Sequence, residues 1–330
     1  MGLGGYLTWT AAAREIYKRT NLKCFPLEQH GNTIKPISSE IFYNNPHIWQ
    51  PESGKNENCI PLQLNNPSSN YCKKDTPEKA FHRFEKHIIQ QVCEPYGIFD
   101  PELKCDLYLD EVEKQQVADI TSSLDDNFVT IEPFSNNDYT PNREYPFDKW
   151  QKVVNEISKD IQVVQVGICP QKLENCIDLR FTRSFRIASG IIGKSKLFIS
   201  SEGGLVHAAT SFGTKSLVVI TGYQDRRMVE YPQNVNVIIS SHGPCGLKVP
   251  CFECALDAKS HDHKPNVFSF AYFVKAKWYD SPLMFDDSGK RIRPKEGRYV
   301  IFPSYLLHSV PKHRYNHERI TLSGNYQLNL

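Results

Sequence analysis

Residues 196–222, KLFISSEGGLVHAATSFGTKSLVVITG, constrain the fold more than any other part of the chain. Two apolar runs of strand length, at 197–199 and 217–220, flank a stretch of small and apolar residues at 205–212 that is typical of a buried helix. A glycine pair separates the first run from this stretch. A strand, a turn, a helix and a strand in so short a segment predict a crossover between parallel strands, and therefore an α/β fold.

The glycine pair, Gly203 and Gly204, marks a candidate ligand site. It follows a strand, so we expect it at the carboxyl edge of a parallel sheet, where open α/β sheets bind ligands. The first N–H groups of a helix suit a phosphate, and bare glycine backbone lets the phosphate approach closely. The alternative is an ordinary packing turn between strand and helix, and the sequence leaves both interpretations open.

Composition limits the class of partner. The 330 residues suffice for about two domains and a small third one. A net charge of +2 gives no electrostatic reason to expect a nucleic acid or an anionic membrane as partner. The ten cysteines are scattered, and the start MGLGGYLTWT lacks the features of a secretory signal, so we expect a cytoplasmic protein without a disulfide framework. No apolar run approaches the ~20 residues that span a bilayer.

The pattern of apolar residues divides the chain into three parts. Residues 1–125 predict an irregular α/β lobe, which ends in the polar stretch 121–127. Residues 126–255 alternate strands with helices, as a parallel, doubly wound sheet does. Residues 256–330 carry strand patterns and turn residues without a helical period, so they predict an antiparallel all-β segment.

The individual elements follow from the same periodicities. Helices are predicted at residues 8–19, 77–92, 110–120, 146–157 and 184–192. Strands are predicted at residues 103–109, 128–131, 161–166, 266–275 and 298–303. Three glycines, at positions 2, 4 and 5, precede the first helix with no strand in front of them. Either the strand that normally supports such a loop is missing from this chain, or the loop has lost its support.

The motif SEGGLVHAA at 201–209 resembles the donor site of family 9 glycosyltransferases, the heptosyltransferase-like enzymes with the two-lobed GT-B fold. The resemblance covers about residues 2–254 and includes GLGGYLTWTAAAREI, FVTIEPFSNN and SFRIASGIIGKSKLF. It implies two Rossmann-like lobes, the first without its usual first strand. It also implies a transferase of hexosyl or heptosyl type that takes a nucleotide sugar as its donor.

The resemblance also implies roles for particular residues. Four residues hold the places that bind the diphosphate and sugar of the donor in the family: Glu202, Gly203, Gly204 and His207. Arg143 holds the place of a basic residue that neutralises phosphate charge. A leaving nucleoside diphosphate needs such positive charge and N–H donors where its negative charge builds up. Without the resemblance, the sequence favours a helix-capping role for Glu202 and a local packing role for His207.

One departure from the family concerns catalysis. The glycine loop of the family carries an aspartate that acts as general base on the acceptor hydroxyl, and Gly5 stands at that place here. A glycine cannot accept a proton. Either another carboxylate substitutes, or transfer activity has been lost, and the sequence identifies no catalytic base.

A cysteine-rich segment precedes the last part of the chain. Cys251 and Cys254 form a Cys-x-x-Cys pair, and Cys245 with His242 would complete a zinc set of three cysteines and one histidine. A second Cys-x-x-Cys pair is missing, and free thiols are common in protein interiors. We therefore expect a local structural role for this segment and no zinc.

From Ser260 onward the chain resembles the C-terminal half of an iron(II) and 2-oxoglutarate-dependent oxygenase, in the segments SHDHKPNVFSFAYFVKA and PKEGRYVIFPSYLLHSVPKHRYNHERITLSGN. The resemblance implies part of a jelly roll, or double-stranded β-helix, whose iron is held by two histidines and usually a carboxylate. His308 matches the distal histidine. Arg319 and Thr321 match the pair that grips the far carboxylate of 2-oxoglutarate, for which a planar guanidinium is suited.

The other iron ligands stay open. His261 and His263 are two residues apart, so on a strand both side chains point to one face and Asp262 points to the other. The iron set is therefore His261, His263 and His308, or it includes Asp262 if the segment is a loop. The segment is also short for a complete barrel, because it lacks the strands and helices that precede the metal strand.

Three functions are compatible with these motifs. The first is a glycosyltransferase that moves a sugar from a nucleotide-sugar donor to a glycan or another hydroxyl acceptor, with an appended oxygenase-like module. The second is an iron(II)/2-oxoglutarate dioxygenase, a hydroxylase, with a glycosyltransferase-derived front part. The third is a chimera in which neither site is active.

Overall fold

The computed structural model of the chain describes residues 2–49, 58–72, 86–134, 143–181, 184–221, 223, 225–239, 268–277, 279–285, 288–303, 306, 308–311 and 318–326. The chain forms two compact units, Met1–Lys248 (unit 1) and Val249–Leu330 (unit 2). The boundary predicted at residue 255 lies outside the described residues. The boundary predicted between two lobes near residue 125, inside unit 1, stays a prediction.

Unit 1 starts with helix α1 (Leu3–Thr20), so the predicted first helix is confirmed and begins earlier than expected. A three-stranded sheet follows, in the order β2-β1-β3, with strands β1 (Cys24–His30), β2 (Thr33–Pro36) and β3 (Ile60–Gln63). Two further helices are α2 (Ile88–Cys93) and α3 (Glu111–Thr121). The helix predicted at 77–92 begins outside the described residues. Asp110 caps α3 through a hydrogen bond from the Glu113 N–H, as the sequence predicts.

The strand predicted at 103–109 is wrong, because side chains of distant helices take its backbone hydrogen bonds. The N–H of Cys105 donates to Thr210 Oγ1 at 3.0 Å, and the N–H of Asp106 donates to Thr10 Oγ1 at 2.9 Å. Arg14 of α1 donates to the carbonyl of Lys104 at 2.8 Å and to the Asp106 carboxylate at 2.7 Å. The segment therefore joins no sheet.

A parallel sheet of six strands forms the second part of unit 1. In chain order the strands are β4 (Phe128–Glu132), β5 (Gln162–Gln165), β6 (Ile177–Asp178), β7 (Leu197–Ser201), β8 (Ser216–Ile220) and β9 (Val235–Ile238). Their order in the sheet is β6-β5-β4-β7-β8-β9. The connecting helices are α4 (Phe147–Ile157), α5 (Phe185–Lys194), α6 (Gly204–Ser211) and α7 (Arg226–Val229).

Alternate residues of β4 pack against different helices. Val129 and Ile131 are buried in a cluster with Trp150 and Val154 of α4, whereas Phe128 belongs to a larger cluster that includes residues of α1, α5 and α6. A strand that is apolar on both faces is typical of a parallel sheet covered by helices on both sides. The predicted doubly wound α/β architecture is confirmed.

Unit 2 is all-β in its described part, as predicted. Its strands are β10 (Phe268–Lys275), β11 (Leu283–Phe285), β12 (Arg291–Ile292), β13 (Tyr299–Pro303), β14 (His308–Ser309) and β15 (Ile320–Tyr326). They form two three-stranded antiparallel sheets, β13-β10-β15 and β12-β11-β14. A small core joins residues of both sheets: Ala271, Leu283, Phe285 and Phe302.

None of the helices in the described parts of the chain is long and apolar enough to cross a bilayer.

Candidate functional site

The strand order puts a topological switch point, and with it a candidate ligand crevice, between β4 and β7. From β4 the chain proceeds to β5 and β6 on one side, whereas β7, β8 and β9 extend the sheet on the other. In open α/β sheets, ligands bind at the carboxyl ends of the strands where the winding direction reverses in this way. The Oγ of Ser200 on β7 donates a 3.0 Å hydrogen bond to the carbonyl of Glu132 on β4, and so fixes the two strand ends against each other.

Arg143 and Glu202, both predicted donor-binding residues, form an ion pair at this switch point. The guanidinium donates through Nε to Oε1 of Glu202 at 2.6 Å and through Nη2 to Oε2 at 2.8 Å, and Nη2 also reaches the Glu202 carbonyl at 2.9 Å. The Glu202 side chain is only 3% exposed, against 18% for Arg143. This bidentate contact joins positions that are 59 residues apart in the sequence.

The opposite charges of Arg143 and Glu202 largely cancel each other. Burial raises the pKa of the Glu202 carboxyl, and the Arg143 guanidinium acts against that rise. A phosphate that enters the crevice meets a guanidinium already paired with a carboxylate. Any anion that binds Arg143 must therefore compete with Glu202 for the same N–H groups.

Helix α6 begins beside this ion pair, at the predicted glycine turn. Gly203 is the N-cap in an extended conformation, and Gly204 is the first helical residue. A Cβ on Gly4 of α1 would lie 2.8 Å from the Cα of Gly204 and 3.4 Å from Cδ2 of His207. The glycines therefore let the beginnings of α1 and α6 meet backbone to backbone. This close approach gives the glycine-rich start of the chain a packing role.

His207 of α6 belongs to a polar cluster with Tyr231, His87 and Cys105. Its Nδ1 lies 2.6 Å from the Tyr231 hydroxyl, and the Cys105 thiol lies 3.5 Å from the same hydroxyl. The ring of His87 lies edge-on to Tyr231, with centroids 4.7 Å apart. Burial raises the pKa of the Tyr231 phenol well above its usual value, so the hydroxyl keeps its proton.

Both histidines of this cluster are neutral at pH 7. Burial lowers the pKa of His207 to about 4, and the positive charge of Arg143 adds to this effect. Burial lowers the pKa of His87 to about 3, and its electrostatic interaction with His207 adds to this effect. The Nδ1 of His87 accepts a hydrogen bond from the Ile89 N–H at 3.2 Å, so the ring proton sits on Nε2. This Nε2 is buried and has no hydrogen-bond partner among the described residues. His207 is therefore a neutral hydrogen-bonding group.

In unit 2, His308 is the one predicted iron ligand among the described residues. It lies in β14, is buried, and packs edge-on against Phe302 with ring centroids 4.6 Å apart. Its Nδ1 lies 2.8 Å from the carbonyl of Leu306. A carbonyl only accepts, so Nδ1 donates its proton in this hydrogen bond. A histidine that binds a metal is oriented in the same way by a carbonyl behind it.

Arg319 and Thr321 meet at the same residue of β10. The Arg319 guanidinium lies 5.7 Å from the centre of the Phe273 ring, and Thr321 pairs with Phe273 across the sheet. Nη1 of Arg319 donates to the carbonyl of Ser281 at 3.0 Å. Burial lowers the pKa of Arg319, and Asp280 acts against that change. Thr321 is exposed.

The remaining predicted metal residues lie outside the described residues. These are the proposed iron ligands His261 and His263, and the three cysteines considered for zinc, Cys245, Cys251 and Cys254. Within the described ranges, no three His, Cys, Asp or Glu side chains come together as a metal site requires. The iron set stays a prediction.

Three residues of the unit 1 site were not predicted from the sequence. Glu132 is the last residue of β4, at the switch point. A charged residue at the end of the apolar run FVTIE is the sequence pattern that could have indicated a role for it. Tyr231 contacts His207, and His87 contacts Tyr231, only through the tertiary fold. No local pattern marks either residue.

The chain shares the fold of solved family 9 glycosyltransferases. A family 9 glycosyltransferase from Veillonella parvula DSM 2008 superposes with a TM-score of 0.52 at 11% identity, over 73% of this chain and 85% of the other. The iron-containing dodecameric glycosyltransferase TibC from enterotoxigenic E. coli H10407 gives 0.51 at 12% identity, over 75% of this chain and 65% of TibC. At such identities the similarity shows the fold alone, and it confirms the predicted GT-B architecture.

A second similarity covers the C-terminal part. Residues 286–325 match a family described as "Putative 2OG-Fe(II) oxygenase". No curated protein matches the sequence significantly. The chain therefore combines a glycosyltransferase family 9-like fold with a β-rich oxygenase-like segment, as predicted.

Proposed function

We propose that unit 1 binds a nucleotide sugar at the β4–β7 switch point and transfers its sugar to a hydroxyl acceptor, such as a glycan. The observation that carries this proposal is the convergence of the Arg143–Glu202 ion pair with the start of α6 at one sheet edge. TibC, which has a similar fold, has also been solved in complex with ADP-D-beta-D-heptose, with a TM-score of 0.51 at 12% identity over 75% of this chain and 63% of TibC. A hexosyl or heptosyl donor is the corresponding class for this chain.

Each site residue has a distinct role in this proposal. Arg143 and the first N–H groups of α6 bind the pyrophosphate and stabilise the charge that develops as the nucleoside diphosphate leaves. Glu202 holds the guanidinium in place and is displaced towards a sugar hydroxyl when phosphate binds Arg143. The nearest atom to a Cβ added at Gly203 would be the Ser201 carbonyl oxygen, 3.9 Å away. The Gly203 backbone is therefore accessible to the donor. His207, held by Tyr231, donates or accepts one hydrogen bond as a neutral ring.

Nucleoside diphosphates test the donor site directly. ADP, GDP and UDP are added one at a time, and the best of them should raise the melting temperature of the wild type by about 5–10 °C at a hundred times its Kd. Glu202→Gln should give a larger rise, because Arg143 then no longer faces a compensating charge. Arg143→Gln should abolish the rise, with each variant compared with its own ligand-free melting temperature.

A charge-matched control separates the site from general electrostatics. Lys152→Gln removes the same charge from an α4 side chain that is 78% exposed, and it should leave the shift unchanged. No shift with any of the three nucleotides at millimolar concentration contradicts the proposed transferase. An equal loss of shift in Lys152→Gln contradicts the placement of the site.

A reducing, cytoplasmic location is part of the proposal. The seven cysteines in the described part of unit 1 are free thiols. Disulfides are rare in reducing compartments.

A second function, iron(II)- and 2-oxoglutarate-dependent oxidation by unit 2, is favoured by the geometry of His308. Its Nδ1–H is held by Leu306, so Nε2 fits as one ligand of an iron that His261 and His263 would complete. Arg319 and Thr321 would bind the far carboxylate of 2-oxoglutarate. Bound iron would supply the activation of dioxygen, and the protein's own part is to hold the cosubstrate and the ligands.

Turnover of 2-oxoglutarate tests this second function. Succinate should form in an iron(II)-dependent manner with the wild type, and His308→Ala should abolish it. Arg319→Leu should raise the KM for 2-oxoglutarate at least tenfold, since it removes a charge-assisted contact. Lys277→Gln, at an exposed position of the same unit, serves as the control. Iron-independent succinate formation, or full activity of His308→Ala, contradicts this function.

A further inference from the structure

Glu132 occupies the centre of the switch point, and the proposed donor site does not use it. It is the last residue of β4 and lies directly opposite Ser200 of β7. The Ser200 hydroxyl holds its carbonyl, so the backbone of Glu132 is fixed beside the strand end that carries Glu202. Its side chain is half-buried. A carboxyl group therefore stands at the edge of the crevice in which the donor is proposed to bind.

The carboxyl group of Glu132 lies over the backbone of Gly167, just after β5. A Cβ at Gly167 would overlap Oε1 of Glu132 and come within 3.1 Å of its Cγ. Gly167 also has φ +84, a value that side chains other than glycine rarely adopt. Within the described ranges, no donor makes a hydrogen bond to this carboxyl group. A carboxyl without a structural partner, in a space kept open by glycine, is available to a ligand.

Among the described residues, Arg143 and Cys169 are the titratable groups that interact with Glu132. Arg143 acts on it from the segment that follows β4, and the Cys169 thiol, which donates to the Pro133 carbonyl at 3.8 Å, lies beside it after β5. Glu202 directly follows β7, and Arg143 neutralises its charge. Burial raises the pKa of Glu132 to about 8, and Arg143 opposes this rise. A group that titrates near neutral pH is suited to take up a proton.

We propose that Glu132 is the proton acceptor for the sugar acceptor's hydroxyl, the role that Gly5 cannot fill. This inference rests on the proposed transferase. The acceptor oxygen forms a bond to the anomeric carbon of the sugar. At the same time, the bond between that carbon and the diphosphate oxygen breaks. The bonding electron pair leaves with the nucleoside diphosphate, and the hydroxyl proton moves to the Glu132 carboxylate. Only the ionised carboxyl can accept this proton, so the rate rises with pH.

The first test is the rate of nucleoside diphosphate release from nucleotide sugars, with sugars or water as acceptors. Wild-type kcat/KM, which reports the free enzyme, should rise with pH through about 8 and then level off. Glu132→Gln should lower kcat by about 10²- to 10⁴-fold and remove this rise, the usual range for loss of a general base. Its Kd for the nucleoside diphosphate should stay within about threefold of wild type. Glu132→Asp keeps a carboxyl and should restore part of the rate and of the pH dependence.

The second test does not depend on turnover. An anionic pyrophosphate beside Glu132 raises its pKa further, so at pH 8 binding of the nucleoside diphosphate should take up a fraction of a proton. Calorimetry in two buffers of different ionisation enthalpy measures this uptake. It should disappear in Glu132→Gln and persist in Asp148→Asn, which removes an α4 carboxylate that is 70% exposed.

The outcomes separate the two proposals. Failure of every nucleoside diphosphate to bind the wild type overturns the transferase, and the role of Glu132 with it. Normal binding together with unchanged kcat, pH profile and proton uptake in Glu132→Gln overturns the role of Glu132 alone. A drop in kcat that Glu132→Asp does not relieve, with the pH profile kept, assigns Glu132 to packing and also overturns the role.

Discussion

Between pH 7 and pH 5 the wild type is expected to lose about 2 kcal/mol more stability than a His87→Asn variant. His87 is 3% exposed, and its pKa in the folded chain is about 3, against an ordinary value of 6.5. The unfolded chain takes up a proton below pH 6.5, whereas the folded chain does not. The contribution of His87 is therefore complete above pH 6.5 and is lost as the pH falls towards 3.

Asparagine is the appropriate replacement because His87 also caps α2. Its Nδ1 accepts from the Ile89 N–H, and an asparagine oxygen can take over that bond without titrating. The comparison between variants is essential, since other groups titrate in the same range. His207 acts in the same direction as His87, whereas Glu132, with its pKa raised to about 8, stabilises the fold as the pH falls from 8. These contributions cancel in the difference between wild type and variant.

Urea unfolding of the full chain at pH 7, 6 and 5 measures the effect. The gap in stability between wild type and His87→Asn should shift by about 1 kcal/mol for each pH unit. A control variant, His30→Asn, replaces a side chain that is 63% exposed and should follow the pH dependence of the wild type. Parallel curves for wild type and His87→Asn would show that His87 is solvated or protonated in the folded chain.

The predictability of this fold from sequence depends on how local each signal is. The segment from β7 to β8 was predicted because its strands, glycine turn and helix are contiguous and each has its own period. The strand predicted at 103–109 failed because Thr10 and Thr210, far away in the chain, take the hydrogen bonds of Cys105 and Asp106. Strand propensity depends only on the residues of the segment itself. The hydrogen bonds to Thr10 and Thr210 depend on the tertiary fold, so propensity could not indicate them.

The candidate site shows the same limit. Arg143 and Glu202 were predicted through family resemblance, but their ion pair joins positions 59 residues apart and needs the β4–β7 pairing to form. The neutral state of His207 depends on burial beside Tyr231, 24 residues away. The pKa of Glu132 is raised because the fold partly buries its carboxyl group over Gly167. Charge states in this site are thus properties of the packed structure.

Arg143→Met is expected to cost about 3–5 kcal/mol of stability, because it leaves the buried carboxylate of Glu202 without its partner. Glu202 is 3% exposed and receives three hydrogen bonds from Arg143, two at its carboxylate and one at its carbonyl. Methionine fills most of the volume of the arginine stem but donates none of these bonds. Without Arg143, the buried Glu202 must either stay charged without a partner or take up a proton, and either outcome lowers stability.

The double variant Arg143→Met with Glu202→Met separates this penalty from packing. Replacing both partners by apolar side chains removes the buried charge, so most of the lost stability should return. The single variant should also lose more stability as the pH rises, by about 1.4 kcal/mol for each unit above the unfolded pKa of glutamate, because its Glu202 stays protonated in the folded chain. Urea unfolding of both variants at pH 5 and pH 7 provides the measurement.

The result also bears on how the site binds a phosphate. If Arg143→Met is as stable as wild type at both pH values, Glu202 is hydrated and the ion pair does not hold the strand ends together. Arg143 would then be available to an anion without competition, and Glu202→Gln would not strengthen nucleotide binding. If the single variant is destabilised and the double variant recovers, the guanidinium is committed to Glu202 in the ligand-free chain. A donor must then exchange one anionic partner of Arg143 for another, which favours a doubly charged pyrophosphate over a single carboxylate.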